Sequence, residues 1–374
     1  MAQGKVSGAE RVLLELLEGG PSATVTVACP PESALAAEVE RLGVRTVPFF
    51  LPLIADVGRS RYAADLARAF VAARHAIRAE APDVVHAFVT PPLKVVAPVA
   101  RLQRIPVVFS VHDVLTPAGV GRLRSSVARG LTNRLVDRAI AVSDYIRDGL
   151  IDDAGFRPET VVTIHNGVDP ARVAASAADR ARRRAEWGVP DDAVVFALFG
   201  RLMEWKGQTV AVEAMDRVEA QHPGAGHLVL QGDAFGPRDA EHAARLEAEA
   251  GRRAYVTLQP GAAAMGASYA AADVVLVPST SPDPFPTVVL EAGAAGRPVV
   301  VTSLGGGREA VVDGVTGIVA PPTADALSEA MVRLLDSSVR QQMGDAARRH
   351  VTTALGVARY GAEVDQLWHE VARR

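Results

Sequence analysis

The sequence predicts an α/β protein with two lobes, each built on a parallel β-sheet. Short β-branched runs alternate with longer Ala/Arg/Glu/Leu stretches of helical period, which is typical of βαβ units. The same alternation occurs in both halves of the chain. With 374 residues, 49% of them hydrophobic, the chain is also longer than a single hydrophobic core usually supports.

Each half contains six candidate strands. In the first half they are residues 24–28, 44–48, 84–87, 107–111, 139–142 and 161–164. In the second half they are residues 193–199, 227–231, 255–258, 274–277, 299–302 and 317–319. Residues 169–190 connect the halves, and we interpret the run Arg182 to Arg184 as a solvated helix face. Apolar residues at helical spacing predict a packed terminal helix over 355–371.

Charge and cysteine content limit the function classes. A formal net charge of −3 provides no strong positive field for nucleic acid or anionic lipid, so membrane contact is at most peripheral. The single cysteine, Cys29, excludes an internal disulfide framework and a cysteine zinc cluster. No apolar run reaches the length of a spanning helix, and no signal-peptide core follows Met1. We therefore expect a cytoplasmic protein.

The first predicted helix lacks a clear strand before it. Ser7 to Glu10 read as a glycine turn that opens an amphipathic helix, and such a turn normally follows a strand. Either residues 2–6 form a degenerate strand, or the true first strand lies upstream of the stated start, which is the alternative we favour. Loss of a central strand would leave backbone N–H and C=O groups of the neighbouring strands without hydrogen-bond partners.

A glycine turn with two cations follows the strand candidate 193–199. Gly200 permits a sharp exit from the sheet, and Arg201 and Lys206 are spaced to bracket a diphosphate. An arbitrary pair of this kind usually only solvates a loop. Here the chain has three lysines and 37 arginines, and one of those lysines is Lys206, which favours a specific role.

A proline-rich loop then precedes a short helix. Prolines at 282, 284 and 286 forbid helix before Thr287. Asp283 therefore lies in a loop that faces a helix N-terminus, where N–H groups and the helix dipole favour a phosphate. Glu291, about one turn further, suits the two hydroxyls of a ribose, although a glutamate in this position is more often a helix-surface residue.

The order and spacing of these motifs resemble the retaining GT-B glycosyltransferases of family 4. The matching segments are 200–207, the acidic pair Asp283 and Glu291, Gly305-Gly306 with Glu309, 313–317, and in the first half 7–10, 83–87, 110–113, 141–143 and 166–169. The resemblance implies a GT-B fold, in which two Rossmann-like domains face each other across a cleft. It implies an acceptor domain over 1–170, a nucleotide-sugar donor domain over 171–352, and a terminal helix over 353–374 that packs back toward the first domain.

The resemblance also implies the site residues. The implied donor-binding residues are Gly8, Arg201, Lys206, Gln259, Pro260, Asp283, Phe285, Pro286, Thr287, Val288 and Glu291. The implied catalytic residues are His112, Arg201, Lys206 and Asp283. In this scheme Arg201 and Lys206 hold the diphosphate, Glu291 the ribose, Asp283 the sugar hydroxyls, and the amides of 285–288 the sugar and phosphates. Gly8 lets the amino-terminal loop approach the diphosphate, the loop at Gln259 and Pro260 meets the base, and His112 reaches the sugar beside the reacting carbon.

Three positions depart from the family pattern. Asp283 stands where the family usually has a glutamate, one methylene longer. Pro286 replaces a frequent glycine and removes one amide donor. Phe88 stands where a second histidine is common, two places after His86, which we interpret as a structural histidine.

The resemblance implies transfer of a sugar, from a UDP-sugar in preference, to an acceptor hydroxyl with retention of configuration. Attack would occur on the front face with help from the departing phosphate. We expect no cofactor and no metal, because no Asp-x-Asp motif is present. The acceptor, a small molecule, a glycan or a lipid-linked glycan, is not specified. The segment 49–53 with Arg59, Arg61 and Tyr62 is either a lipid-facing patch or, as we favour, a plain loop.

Two alternatives remain open from the sequence. One is a GT-B-shaped epimerase or phosphorylase. A phosphorylase needs a lysine to bind its cofactor covalently, and it is disfavoured because the candidate, Lys206, is already assigned to the donor phosphate. The other is a catalytically inactive protein that binds sugar nucleotides, which the short amino terminus makes credible.

Overall fold

The structure, a computed structural model, describes residues 6, 8–50, 59–114, 134–190 and 192–373, with the side chains of 59–61 outside that description. The chain divides into two compact units. Met1–Gly167 and Val357–Arg374 form the N-terminal unit, and Val168–Gly356 form the C-terminal unit.

The N-terminal unit alternates strands with helices. Its strands are β1 (Thr26–Cys29), β2 (Arg45–Pro48), β3 (Val85–Ala87), β4 (Val107–Val111), β5 (Arg138–Ala141) and β6 (Val161–Thr163). Its helices are α1 (Gly8–Glu18), α2 (Ala34–Arg41), α3 (Arg59–Glu80), α4 (Thr90–Leu102), α5 (Asp144–Asp152) and, at the end of the chain, α13 (Val357–Ala372).

These strands form two parallel sheets. β1 pairs with β2, and a separate sheet has the order β3-β4-β5-β6. Within the described ranges no strand pairs with the other edge of β1 or of β3. The expected first strand falls on residues 2–6, of which 2–5 lie outside the described residues. Ser7 of the predicted turn and residues 51–53 of the predicted patch also lie outside them.

One hydrophobic core of this unit joins its first and last helices to the four-stranded sheet. Val12 and Leu16 of α1 and Tyr360 and Val364 of α13 cluster with Val108 of β4, all of them buried. Where the two helices approach, Gly19 and Gly361 leave no room for a side chain, since a Cβ on Gly19 would lie 3.1 Å from the Gly361 Cα. The terminal helix is therefore an integral part of this unit.

The C-terminal unit contains six further strands and seven helices. The strands are β7 (Val194–Phe199), β8 (Gly226–Gln231), β9 (Val256–Gln259), β10 (Val274–Val277), β11 (Val299–Thr302) and β12 (Gly317–Ala320). The helices are α6 (Ala177–Trp187), α7 (Gln208–Gln221), α8 (Pro237–Ala250), α9 (Gly266–Ala271), α10 (Thr287–Ala294), α11 (Ala324–Arg333) and α12 (Ser337–Ala354).

All six strands are parallel, in the order β12-β11-β10-β7-β8-β9. Successive strands are added outward from β7 on one side and then from β10 on the other, which is the doubly wound arrangement. β7 and β8 are buried throughout, as expected for strands covered by helices on both faces. The strand order reverses between β7 and β10, and ligands of such sheets bind at that point, beyond the carboxyl ends of the strands.

The predicted strands are all present, each within two residues of its predicted bounds, and the fold class is confirmed. The interpretation of Arg182 to Arg184 as a solvated face is wrong for its last residue. Arg184 is buried, its guanidinium lies 3.1 Å from a carboxylate oxygen of Asp273, and it donates to the carbonyl of Ala193. A run of charged residues in the sequence does not show which of their side chains will face the sheet.

None of the helices in the described part of the chain is long and apolar enough to cross a membrane.

Gly207 links the turn after β7 to α7 in a conformation that demands glycine. Its φ is +77°, and an added Cβ would lie 1.9 Å from the Pro278 carbonyl oxygen. We expect Gly207→Ala to lower the free energy of unfolding by roughly 2–5 kcal/mol, combining a left-handed backbone with a clash. Gly224→Ala is the matched control, since its φ is +75° and nothing lies within 4 Å of an added Cβ. It should cost only roughly 1–2 kcal/mol. Equal losses for the two variants in urea unfolding would contradict the clash.

Candidate functional site

Two loops of the C-terminal unit leave the sheet on either side of the point where its strand order reverses. The first follows β7 and contains Gly200 to Gly207, and the second follows β10 and leads through residues 278–286 into α10. They are bonded to each other, because the Thr280 N–H donates to the Trp205 carbonyl over 2.8 Å. The parallel sheet thus places Trp205 and Thr280, 75 residues apart in sequence, at one edge.

Lys206 and Asp283 form an ion pair between these loops. The Lys206 Nζ lies 2.6 Å from the Asp283 Oδ2, and the Asp283 side chain is 9% exposed. A 3-10 turn over Glu204–Lys206 carries the lysine, whose ammonium also lies 4.3 Å from the centre of the Trp205 ring. The ammonium is therefore held by a carboxylate and by the negative face of an indole.

The backbone around Asp283 is fixed by the glycine loop after β11. The Gly306 N–H donates to the Asp283 carbonyl over 2.8 Å, and Gly305 forms an isolated bridge with Asp283. Gly305 has a φ of +72°, and an added Cβ would lie 2.3 Å from that carbonyl oxygen. Gly305 is thus needed for close approach to the Asp283 backbone, while Gly306 contributes its N–H.

Arg201 is held by residues of another loop and helix. Its Nε donates to the Asp239 Oδ2 over 2.5 Å, and its Nη2 donates to the Phe235 carbonyl over 3.0 Å. Asp239 lies in the first turn of α8, is 8% exposed, and also accepts from the Phe235 N–H. The Arg201 Nη1 has no partner among the described residues. One edge of the guanidinium is thus fixed while the other can meet an anion.

The start of α10 offers backbone donors that no acceptor within the helix can use. Phe285 is buried, and no side chain in the described part of the chain caps the helix, whose N-cap residue is Pro286. The N–H groups of Thr287 and Val288 belong to the first turn, where donors have no partner within the helix. Together with the helix dipole they favour an anion.

Glu291 lies one turn into α10 and is half-buried. Its Oε2 accepts a hydrogen bond from the hydroxyl of Tyr269, which is completely buried. Burial, followed by the nearby Glu291 charge, raises the pKa of Tyr269 well above its ordinary value, so the phenol keeps its proton and acts as the donor.

The loop after β9 is tied to the same edge of the sheet. The Gly232 N–H donates to the Gln259 carbonyl over 3.0 Å, and the Gln231 side chain donates to the Pro260 carbonyl over 3.1 Å. A Cβ on Gly232 would lie 1.7 Å from the Gly200 carbonyl oxygen. The loops that follow β7, β8 and β9 therefore form one packed edge.

His112 belongs to the N-terminal unit, directly after β4. Its ring stacks on Phe88 with centroids 5.6 Å apart, and its Nε2 is shielded from solvent with no partner among the described residues. Burial lowers the pKa of His112 to about 4, so the imidazole is neutral near pH 7. A buried nitrogen with no partner is costly unless a ligand satisfies it.

The neighbouring His86 is satisfied at both ring nitrogens. The Trp368 indole N–H donates to the His86 Nδ1 over 3.0 Å, so the proton resides on Nε2, which lies 2.8 Å from the Ser110 hydroxyl. Burial, followed by the proximity of His112, lowers the pKa of His86 to about 3. Both features are those of a structural histidine.

Gly8 is the first residue of α1, and nothing lies within 4 Å of a Cβ added there. Among the described residues, no three carboxylate, imidazole or thiol groups gather as a metal site would require. The expected independence of metal and cofactor stays a prediction.

Two family models match the chain, one to each half. The model described as Glycosyltransferase Family 4 matches residues 6–172, and the model described as Glycosyl transferases group 1 matches residues 179–350. The chain belongs to this glycosyltransferase family. The family predicted from the sequence motifs is thereby confirmed.

Curated relatives of this chain carry the name D-inositol 3-phosphate glycosyltransferase. The protein from Kribbella flavida is 34% identical over 226 residues, which are 57% of this chain and 52% of the relative. The protein from Corynebacterium aurimucosum is 32% identical over 268 residues, which are 67% of this chain and 62% of the relative. The matched region thus spans about half to three fifths of the length of these relatives.

Solved structures support the GT-B fold for this chain. Anabaena HepE in complex with UDP and glucose is 26% identical, with a TM-score of 0.83 over 98% of this chain and 97% of HepE. Sucrose-phosphate synthase from Thermosynechococcus elongatus, 21% identical, shares the fold with a TM-score of 0.77 over 98% of this chain and 94% of that chain. The predicted GT-B fold is confirmed.

The structure brings most of the predicted donor residues of the C-terminal unit to one sheet edge. Lys206 and Asp283 are in direct contact, whereas Arg201 contacts Asp239. His112 and Gly8 belong to the N-terminal unit. The sequence interpretation missed Asp239 and Tyr269. Asp239 contacts Arg201, 38 positions away, and Tyr269 contacts Glu291, 22 positions away. No local motif marks either residue.

The buried His86 makes stability depend on pH. Its native pKa of about 3 lies below the ordinary value of 6.5, so the unfolded chain binds more protons as pH falls from 7, and stability decreases. Between pH 7 and pH 5 this group accounts for a loss of about 2 kcal/mol. In urea unfolding, His86→Gln should reduce the pH dependence by that amount. His222→Gln, at an exposed position, should not. An unchanged dependence in His86→Gln would show that His86 binds its proton over the same pH range in the native and unfolded states, and would contradict the lowered native pKa.

Proposed function

We propose that this chain transfers a sugar from a nucleoside diphosphate sugar, a UDP-sugar in preference, to an acceptor hydroxyl with retention of anomeric configuration. The observation that carries the proposal is the Lys206–Asp283 ion pair at the edge where the sheet order reverses. A cation and a carboxylate lie on the two loops that meet there, and the second loop leads into the first-turn N–H groups of α10. These groups suit, in turn, a diphosphate, a sugar hydroxyl and a phosphate oxygen.

The ion pair suggests how the site is kept stable before the donor arrives. Asp283 neutralises the Lys206 ammonium while the site is open, and neither charge is left buried and unpaired. A bound donor offers two replacements, because its diphosphate attracts the ammonium and its sugar hydroxyls donate to the carboxylate. Donor binding then exchanges one set of charge-assisted hydrogen bonds for another.

The transition state explains why cations are needed. As the bond between the sugar and the diphosphate breaks, negative charge grows on the leaving group and the sugar becomes oxocarbenium-like. Lys206, Arg201 and the start of α10 stabilise that growing charge from fixed positions, which lowers the barrier without reorganisation. Asp239 keeps Arg201 ready by binding its Nε. Leaving-group stabilisation is thus the main catalytic contribution of this unit.

Two residue groups account for nucleotide recognition in the proposal. Glu291 accepts the ribose hydroxyls, and the edge formed by Gln259 and Pro260 contacts the base. The UDP complexes of HepE support uracil as the base of the donor.

In the N-terminal unit, we propose that the neutral His112 contacts the donor sugar through a ring nitrogen. Its solvent-shielded Nε2, without a partner among the described residues, supports a polar ligand there. Gly8, with open space at its Cβ position, would admit the diphosphate near the start of α1.

For the acceptor, we propose a small hydroxylated molecule. The relatives from Kribbella flavida and Corynebacterium aurimucosum are named for inositol 3-phosphate, which makes it the first acceptor to assay. Glycan and lipid-linked acceptors come next. The cytoplasmic location and peripheral membrane contact remain predictions from composition.

Lys206→Ala tests the electrostatic core of this proposal. We expect kcat for sugar transfer or donor hydrolysis to fall by ~10²–10³, as when an oxyanion donor is removed, while circular dichroism stays unchanged. Lys94→Ala is the matched control, since Lys94 is exposed on α4 of the other unit. Turnover in Lys206→Ala equal to that of the control would refute the role of Lys206.

A donor screen tests the nucleotide and the activity together. UDP-, GDP- and ADP-sugars are compared by donor hydrolysis and by thermal stabilisation, which rises with ligand concentration relative to Kd. We expect UDP-sugars to raise Tm most and to be hydrolysed. Stabilisation without turnover, with inositol 3-phosphate present, would indicate a nucleotide-binding protein instead of a transferase.

A further inference from the structure

We propose that Tyr269 is a positioning residue for Glu291 and thereby sets the preference of the site for a ribonucleotide. This inference rests on the proposed role of Glu291 in binding the ribose. Tyr269 lies outside the motif segments given in the sequence analysis, and it lies on α9, 22 residues before its partner.

Tyr269 is a rigid donor. Its side chain is completely buried, and its ring packs edge-to-face against Phe199 with centroids 4.8 Å apart. Two arginines anchor the backbone of its short helix, because Arg180 and Arg297 both donate to the Ala270 carbonyl. The hydroxyl is therefore fixed by the core and not by solvent.

Glu291 needs such a partner because it is a long side chain at a half-buried position. A glutamate that is free to rotate loses up to about 2 kcal/mol of side-chain entropy when a ligand immobilises it. The Tyr269 hydroxyl binds Oε2, and in the described part of the chain no other side chain donates to this carboxylate. Oε1 and the second lone pair of Oε2 remain for the ligand. Positioning before binding reduces the entropy lost when the ligand binds.

The expected consequence is selectivity for the ribose diol. A carboxylate fixed at one oxygen presents its remaining acceptor sites in one orientation, which matches two adjacent hydroxyls. A nucleotide that lacks the 2′-hydroxyl leaves an acceptor unsatisfied and binds less tightly. Without Tyr269, the carboxylate can turn toward water, and the two nucleotides become more alike in affinity.

The test compares Kd for UDP and for 2′-deoxy-UDP by isothermal titration. Wild-type protein should prefer UDP by about tenfold or more. Tyr269→Phe keeps the ring but removes the donor, and it should reduce this ratio by about threefold or more. A Tyr269→Phe variant that weakens both nucleotides equally, or neither, would overturn the proposal.

Tyr255→Phe is the matched control. Tyr255 donates to a carboxylate oxygen of Asp216 over 2.8 Å, so this variant also removes a tyrosine–carboxylate bond from the C-terminal unit, and the ratio should remain at the wild-type value. Glu291→Gln distinguishes an error in the ribose contact of Glu291 from an error in the role of Tyr269. If Glu291→Gln keeps the wild-type preference for UDP over 2′-deoxy-UDP, the proposed ribose contact of Glu291 is wrong, and the role of Tyr269 is wrong with it. If only Tyr269→Phe keeps the ratio, Tyr269 alone is misassigned.

The double variant Tyr269→Phe with Glu291→Gln covers the case in which the single tyrosine variant does not fold. In this double variant, position 291 has no carboxylate that could lack its hydrogen-bond donor. Its affinities for UDP and for 2′-deoxy-UDP should therefore equal those of Glu291→Gln. Weaker binding of both nucleotides than by Glu291→Gln would mean that Tyr269 acts on the site by a route other than Glu291, which would overturn the proposal.

Discussion

The attraction between Lys206 and Asp283 joins the two loops on which the candidate site depends. Each charge comes from a different strand end, and the doubly wound sheet brings the two ends together. The contacts around the pair serve to fix it: Trp205 lies against the ammonium, and Gly305 and Gly306 hold the aspartate backbone. A pair of opposite charges is a stable resting arrangement that still leaves both partners available for a ligand that is itself charged and hydroxylated. The family membership and the UDP complexes of HepE agree with a ligand of that kind.

A common pattern underlies the cationic and acidic groups of this edge. Arg201 is fixed by Asp239 and the Phe235 carbonyl, and Glu291 by the buried Tyr269. In both cases one part of a long side chain is held by the protein while another part keeps hydrogen-bonding capacity. Preorganisation of this kind reduces the entropy lost on binding and keeps charges in place as they develop in a reaction. The supporting residues matter as much to the proposed chemistry as the residues that touch the ligand.

The fold and the residues of the site differ in how far the sequence predicts them. Hydrophobic periodicity located every strand of the described residues, because alternation between strands and helices is a local property of the chain. Local motifs also identified Lys206, Asp283 and Glu291. The sequence did not reveal Asp239, Tyr269 or the burial of Arg184, because each depends on a contact between segments that are distant in sequence. The Arg184 to Asp273 pair, 89 residues apart, shows that the same arginine run can include a solvated and a buried member. The tertiary structure determines which distant residues form an ion pair or a hydrogen bond, and neither composition nor local motifs predict these partners.

The N-terminal unit is made from the two ends of the chain, with the C-terminal unit between them. Tyr360, Val364 and Leu367 supply part of its core, and Trp368 satisfies His86. During synthesis on the ribosome these residues emerge after every described strand of the C-terminal unit. The inserted unit can therefore fold while α13 is still being made, whereas the core of the N-terminal unit stays incomplete until α13 has left the ribosome. The half of the molecule that is begun first is thus completed only after the inserted unit has been synthesised.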